Sequence, residues 1–291
     1  VSIGNMKPEV PRPAPGLHFI ATPIGAARDI TLRALDLLAG ADVLAAEDTR
    51  TLRHLMEIHG VALNGRPLVA YHDHNGEAAR PRLLAALAEG KSVVYASEAG
   101  TPLVADPGFQ LSRAAIAAGY PVLTAPGPSA VLAALTVAGL PSDRFLFAGF
   151  LPSQRSARRK VLAELAPVAA TLVLYESPKR IGESLTDLCE CLGQGRQAAV
   201  CRELTKRFEE VTRATLGDLA TIFAQREVKG EIVLVIDRGQ AAVVDAATIE
   251  DALRKALADL SVRDAAAAVA EAFDLPRRDV YQTALRLAGQ G

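Results

Sequence analysis

Three short stretches place turn-forming and hydroxyl residues directly behind apolar runs: Thr22-Pro23-Ile24-Gly25, Ser97-Glu98-Ala99-Gly100-Thr101-Pro102 and Ala125-Pro126-Gly127-Pro128-Ser129. Such residues leave main-chain N–H and C=O groups bare at the end of a strand, where open α/β sheets hold their ligands. Converging, three loops of this kind form a crevice suited to a ligand with polar edges and an apolar body. Any one of them is explained equally well as a turn, and it is their coincidence that points to a site. No Walker A pattern occurs, and the one G-x-G, Gly193-Gln194-Gly195, follows a helical stretch rather than a strand, which argues against nucleoside triphosphates and the common dinucleotide fold.

Two further clusters invite a chemical reading. His72 and His74, in Tyr71-His-Asp-His-Asn75, alternate with period two and would share one face of a strand. No third ligand stands at a recognisable spacing, so no metal is expected, and contact with an acceptor nucleotide suits the pair better. Arg155, Arg158, Arg159 and Lys160 crowd the start of an expected helix, where the helix dipole favours acids. Phosphates approaching from outside would account for that cost, and RNA is the expected ligand of this patch.

These residues need elements to hold them. LHFIAT, DVLAAED, PLVAY, SVVYAS and PVLTA read as strands, the first four each followed by a helical pattern, the run typical of a parallel sheet buried on both faces. A second series starts near Pro126: a helix over 129–138, then RFLFAGF, a basic helix, TLVLYE, a helix over 180–191, QAAVCREL, FEEVTR, a helix over 216–225 and EIVLVID. The adjacent strands before its last helix predict a mixed sheet. The expected organisation is α/β: a leader at 1–16, a parallel-sheet domain at 17–125, a mixed-sheet domain at 126–240 and a small helical module at 245–291.

Composition sets the outer bounds. A chain of 291 residues suits two domains, and a net charge of −1 gives no global pull on a polyanion, so nucleic acid would have to be held locally. Three cysteines suit neither a disulfide framework nor a four-ligand zinc site and are consistent with a reducing cytoplasm. The leader lacks a signal peptide's apolar core, and the strongly apolar run around 130–140 is far short of the ~20 residues a bilayer crossing needs. The tail reads as three helices with a turn at Asp274-Leu275-Pro276, a helix-turn-helix pattern. From Asp245 to Gly291 it has six Lys/Arg against eight Asp/Glu, which argues against a DNA duplex and for packing or partner docking.

In order along the chain, TPIGAARDIT, AAEDTR, YHDHN, SEAGTPLVADPG, PGPSA, GLPSDRF, YESPKR, RELTK and KGEIVLV closely resemble the bacterial small-subunit ribosomal RNA (cytidine-2′-O)-methyltransferases, a branch of the tetrapyrrole-methylase family. The match runs over about 17–237, and the tail is similar to an extension many such enzymes carry. The resemblance implies two α/β domains with S-adenosylmethionine in the cleft between them, a homodimer, and small-subunit ribosomal RNA or the subunit itself as partner. It also implies cofactor contacts at Pro23, Gly25, Ser97, Glu98, Gly100, Thr101, Ser129, Ala130, Tyr175, Lys229 and Gly230. Glu98 replaces the Asp usual in the family's SDAGTP motif, and Lys179 stands where His is common.

The implied acceptor is a ribose hydroxyl, a weak nucleophile until its proton is shared. A general base contributes about 10²–10⁴ in rate, whereas alignment contributes up to ~7–11 kcal/mol, so positioning outweighs proton removal. Glu203 and Lys206 in RELTK and Asp48 in AEDTR are the candidate catalytic residues, each equally readable as part of a salt-bridged cluster. Two other readings remain open: a methylase of the same superfamily with a small tetrapyrrole-like substrate, and a non-catalytic ribosome-assembly binder that keeps the cleft as scaffold.

Overall fold

The computed structural model describes residues 12–72, 74–104, 108–239, 246–273 and 275–289. Outside these lie most of the expected leader (1–11), Asp73 of YHDHN, residues 105–107 of the SEAGTPLVADPG stretch, residues 240–245 and Asp274 of the tail's turn. Arg12 pairs with Asp42 at 2.7 Å, and Gly16 already opens the first strand. The chain divides into two compact units, Val1–Arg238 and Gly239–Gly291.

The first unit holds two five-stranded sheets. Strands β1 (Gly16–Ile20), β2 (Val43–Ala46), β3 (Leu68–Ala70), β4 (Ser92–Ala96) and β5 (Val122–Ala125) pair in parallel in the order β3-β2-β4-β1-β5. Helices α1 (Leu32–Gly40) and α2 (Thr49–Ile58) cover one face, where Leu37, Leu38, Leu52 and Met56 meet Ile20, Leu44 and Val94. Helices α3 (Gly76–Ala88) and α4 (Phe109–Ala117) cover the other, where Leu83, Leu87 and Leu111 meet Leu17, Phe19, Val93 and Tyr95. Burial of β1 and β4 along their whole length follows: a strand covered on both faces has no polar side, as GLHFI and SVVYA illustrate.

Helix α5 (Ala130–Ala138) leads into the second sheet. There β6 (Phe145–Phe150), β7 (Thr171–Glu176), β8 (Gln197–Arg202), β9 (Glu210–Thr215) and β10 (Ile232–Ile236) pair in the order β6-β7-β10-β8-β9, only β6 and β7 running parallel. Alternation sorts its side chains. Leu172, Leu174 and Leu234 face α6 (Arg155–Leu165), α7 (Ile181–Leu192) and α8 (Leu216–Phe223), while Val173, Val233 and Val235 face α5. Each fully buried Leu or Ile contributes roughly 1.5–3 kcal/mol against ~0–1 for an exposed ion pair, so apolar burial holds the layers together. The second unit packs α9 (Ala246–Leu257), α10 (Val262–Ala272) and α11 (Arg277–Ala288) around Leu253, Val269 and Val280. Among the described residues no helix is long and apolar enough to cross a membrane.

The basic start of α6 requires a correction. Arg158 is not presented to a phosphate: its side chain is only 2 % exposed, and its Nε donates to Asp187 of α7 at 2.7 Å. Arg155 donates to the other Asp187 oxygen at 2.9 Å, and Arg159 reaches Glu190. Burial tends to raise the Asp187 pKa, but the hydrogen bonds and charges of Arg155 and Arg158 outweigh it and hold the carboxyl below its ordinary range. The unfavourable dipole is thus met from within the fold, and Lys160 alone of the four is exposed without an ion pair among the described residues.

Removing one partner of a buried pair strands the other charge. Asp187→Ala is therefore expected to cost about 3–5 kcal/mol, whereas replacing both groups by apolar residues, Arg158→Met with Asp187→Leu, recovers most of that loss. Urea unfolding of both variants checks this, and a single-variant loss under about 1 kcal/mol would remove the pair from its structural role.

Candidate functional site

At the carboxyl edge of the first sheet, β1 connects toward β2 while its neighbour β4 connects past it to β5, so the chain reverses direction across the sheet between them. Their following loops are bonded to each other there. Thr22 and Gly100 exchange two N–H···O bonds of 3.0 Å, Ser97 Oγ donates to Gly100 O at 2.7 Å, and Thr101 Oγ1 donates to Pro128 O at 2.9 Å. The three bends singled out in the sequence are therefore joined, by main chain and by hydroxyls pointing inward.

Opposite them stand the ends of β6 and β7 and the start of β10, and between the two walls lies a cleft of ≈ 640 Å³, within the ~300–1,000 Å³ common for small-molecule sites. Pro23, Gly25, Glu98, Ala130, Tyr175 and Gly230 line it, as does Lys206. Ser97, Gly100, Thr101, Ser129 and Lys229 lie behind the lining: the first three brace the loops as described, Ser129 precedes α5, and the Lys229 carbonyl accepts from Arg202 at 3.2 Å. Gly100 has φ +81°, and a Cβ there would meet Ile24 at 3.3 Å, so a larger residue would disturb the loop junction before it reached a ligand.

The lining contains residues the sequence did not single out: Phe150, Glu47, Glu176 and Glu231. Phe150 is 57 % exposed and meets Tyr175 edge-on, their centroids 5.4 Å apart, forming an aromatic corner for an apolar ligand body. Burial and the Glu231 charge push the Tyr175 phenol above its usual range, keeping it neutral. With Arg180 counted beside Lys206, carboxylates outnumber cations at the cleft four to two, which favours a cationic ligand. Glu176 is satisfied within the fold by Ser184 and Arg180, whereas the Glu231 side chain is 72 % exposed and pairs with Lys206.

The catalytic candidates separate. Lys206 Nζ donates to Glu203 Oε1 and Glu231 Oε2, both at 2.8 Å. Burial tends to lower the lysine pKa, but those two hydrogen bonds and charges outweigh it and raise the value, so the group stays an ammonium. Glu203 receives the Glu231 N–H at 3.0 Å; burial tends to raise its pKa, and the Lys206 and backbone hydrogen bonds bring it down. Asp48 caps α2, accepting from Arg50 N and Thr51 N, and the Arg50 side chain followed by its backbone N–H holds its pKa near about 2. Asp48 is thus engaged as the cap of α2 and lies outside the lining, whereas its neighbour Glu47 faces the cleft.

His72 and His74 require a second correction. Strand β3 ends at Ala70, so the pair sits in the turn that follows, ring centroids 6.1 Å apart, with neither side chain lining the cleft. The turn is closed by Asn75, whose Oδ1 accepts from His72 N at 2.8 Å. Among the described residues no cluster of three or more metal-ligating side chains occurs.

Comparison with known proteins gives the context. The family model for tetrapyrrole (corrin/porphyrin) methylases matches residues 16–220, and that for the RsmI C-terminal HTH domain matches residues 243–288. The chain is similar to a protein of Mesorhizobium japonicum named ribosomal RNA small subunit methyltransferase I, 46 % identical over 95 % of each chain. It is also similar to the protein of that name from Escherichia coli O157:H7, at 41 % identity over 94 % of this chain and 96 % of the other. Among solved structures, the methyltransferase CobJ shares the fold with TM-score 0.59 and 21 % identity, covering 77 % of this chain and 94 % of its own. Uroporphyrin-III C-methyltransferase from Thermus thermophilus, complexed with S-adenosyl homocysteine, does so with TM-score 0.53 and 21 % identity, covering 76 % and 97 %.

The Glu203–Lys206 pair has a definite pH signature. A carboxyl depressed from 4.5 on folding contributes stability that is complete above that value and lost as pH falls through the folded one; an ammonium raised from 10.5 contributes below that value and loses it as pH rises through the folded one. Glu203→Gln is expected to flatten the acid arm of the stability profile while leaving its slope near neutrality unchanged. Urea midpoints from about pH 3 to about pH 8 check this, and an acid arm as steep as wild type would refute it.

Proposed function

The chain belongs to the tetrapyrrole (corrin/porphyrin) methylase family, and from that premise we propose that it methylates small-subunit ribosomal RNA, using S-adenosylmethionine to modify the 2′-hydroxyl of a cytidine ribose. The observation that carries this is the carboxylate-rich cleft at the joined loops after β1, β4 and β5, in a chain nearly half identical to a relative named for that RNA. S-adenosylmethionine, when bound, supplies a methyl group made electrophilic by a sulfonium centre.

The residues present fit that cofactor. Its zwitterionic amino-acid end and sulfonium sum to one positive charge, which suits a lining where Glu47, Glu98, Glu176 and Glu231 outnumber Lys206 and Arg180. Pro23, Gly25, Glu98, Ala130 and Gly230 would hold it largely through main chain, with Phe150 and Tyr175 beside its apolar surface; Ser97, Gly100, Thr101, Ser129 and Lys229 would shape the loops that do so. Once the charge is gone the carboxylates hold the product less tightly, which favours release.

Lys206 is charged in the folded chain and therefore holds rather than accepts a proton; it would steady the ribose or an adjoining phosphate, with Glu203 fixing its position. With Asp48 engaged as a helix cap and Lys206 an ammonium, most of the acceleration would fall to alignment of the hydroxyl, the larger of the two contributions. An RNA substrate places the protein in the cytoplasm. A homodimer belongs to the same reading: Leu123 on edge strand β5 of the first sheet and Phe145 and Leu146 on edge strand β6 of the second are exposed, apolar side chains that a second copy could cover.

Incubation with methyl-labelled S-adenosylmethionine and either isolated small subunits or naked RNA tests the proposal. Label in a cytidine ribose is the expected result. Label only in a tetrapyrrole substrate, or tight subunit binding without label, overturns it in favour of the small-molecule or the assembly-factor reading. Lys206→Arg should keep most of the rate while Lys206→Met loses about tenfold or more; equal loss in both would assign the lysine a proton-transfer role instead.

A further inference from the structure

The C-terminal unit carries cations of two kinds. Arg254 and Arg286 both reach Glu250, at 3.0 and 2.6 Å, and Lys255 reaches Asp251 at 3.0 Å. Arg263, Arg277 and Arg278 make no ion pair among the described residues. These same three, all exposed, line one groove of ≈ 380 Å³ between α10 and α11 with Ala266, Ala267 and Tyr281. Tyr281 is 41 % exposed and lies one helical turn beyond Arg277 and Arg278, on the same face of α11.

Two cations in the first turn of α11 oppose its dipole, as the cations of α6 oppose theirs. On α6 the neighbouring helix answers with Asp187 and Glu190. At α11 the acids among the described residues do not: Asp264 accepts from Ser261 in the cap of α10, and Asp279, itself in the first turn of α11, is in no ion pair among them. What remains is a concave surface with three unpaired guanidinium groups around an aromatic ring.

We propose that this groove binds a single-stranded segment of RNA, Arg263, Arg277 and Arg278 holding phosphates and Tyr281 stacking on a base. Guanidinium groups match phosphate oxygens in a fixed fork, and an aromatic face accepts any base. The scale favours a strand over a duplex. Three cations and one ring serve a few nucleotides, whereas a helix-turn-helix reading duplex DNA needs a broad basic footprint, and from Asp245 to Gly291 acids outnumber bases eight to six. The balance that argued against nucleic acid hides this separation, because half the cations are spent on internal pairs. That the strand belongs to ribosomal RNA rests on the proposed function; that the groove binds RNA does not.

The test uses the full chain and a fluorescent single-stranded RNA of about 12 nucleotides, titrated between about 50 and 200 mM salt. Arg263→Ala, Arg277→Ala and Arg278→Ala combined should weaken binding at least ~10-fold and flatten the salt dependence by about two, at ~0.7 per single-strand phosphate contact. Tyr281→Ala should weaken binding about fivefold or more with the salt slope unchanged. Calorimetry with S-adenosylhomocysteine should be the same for all three proteins, as should their thermal unfolding. Wild-type affinity and slope in the triple variant overturn the proposal, as does duplex DNA of equal length binding more tightly than the RNA through the same arginines. Should the triple variant lose RNA while the wild type methylates nothing, the groove stands and the proposed function falls; unchanged RNA affinity beside normal methylation gives the reverse.

Discussion

The site depends on how closely two backbones approach. A Cβ on Gly25 would lie 3.0 Å from the Leu204 carbonyl oxygen and 2.5 Å from Lys206 Cγ, and one on Gly230 would lie 2.4 Å from the Glu203 carboxyl carbon. Any other residue at 25 would push apart the loop after β1 and the 203–206 turn, between which Ala26 N donates to Thr205 Oγ1 at 3.1 Å, and one at 230 would displace the Glu203 side chain that holds Lys206. The turn is itself unusual, since Glu203 and Thr205 both have positive φ, +51° and +64°. Such conformations cost of order 1–3 kcal/mol each and persist where surroundings over-determine them. Here Glu203 N bonds to Glu231 O at 2.9 Å and Thr205 N to Glu209 at 2.6 Å. The strained turn places Lys206 at the cleft between two carboxylates.

Much of this was legible in the sequence, for stated reasons. Strands buried on both faces are unbroken apolar runs, so GLHFI, SVVYA and IVLVI declare themselves without tertiary information. Loops rich in Gly and Pro at their carboxyl ends marked the crevice, since bare backbone there has few other uses than a turn or a ligand. Strand order did not declare itself, because β3-β2-β4-β1-β5 is set by which helices cross which face rather than by any local pattern. The histidine pair was placed on a strand by its period of two, but β3 stops at Ala70 and the Asn75 side chain closes a turn instead.

Side-chain roles failed where one residue decides them. Asp48 and Glu47 are adjacent and chemically alike, yet the first caps α2 and the second faces the cleft. A short acid at a strand-to-helix junction is the natural N-cap, a signal present in EDTR that a search for bases passes over. Arg158 failed for another reason: its partner Asp187 lies 29 positions away on the next helix, and nothing local to RSARRK reveals it.

The same two helices explain how a polyanion could be held by a chain of net charge −1. Charge counting treats every cation as equal, but a guanidinium already paired at 2.7 Å offers little to a phosphate, since the new contact must first break the old one. A cleft lined by Glu47, Glu98 and Glu231 beside Lys206 also draws in a cation more readily than a polyanion. Affinity for RNA must then come from cations that the fold leaves unpaired and acids leave unshielded. Among the described residues of the C-terminal unit that condition picks out Arg263, Arg277 and Arg278, so one chain can carry a site that favours a cationic cofactor and another that favours an anionic strand.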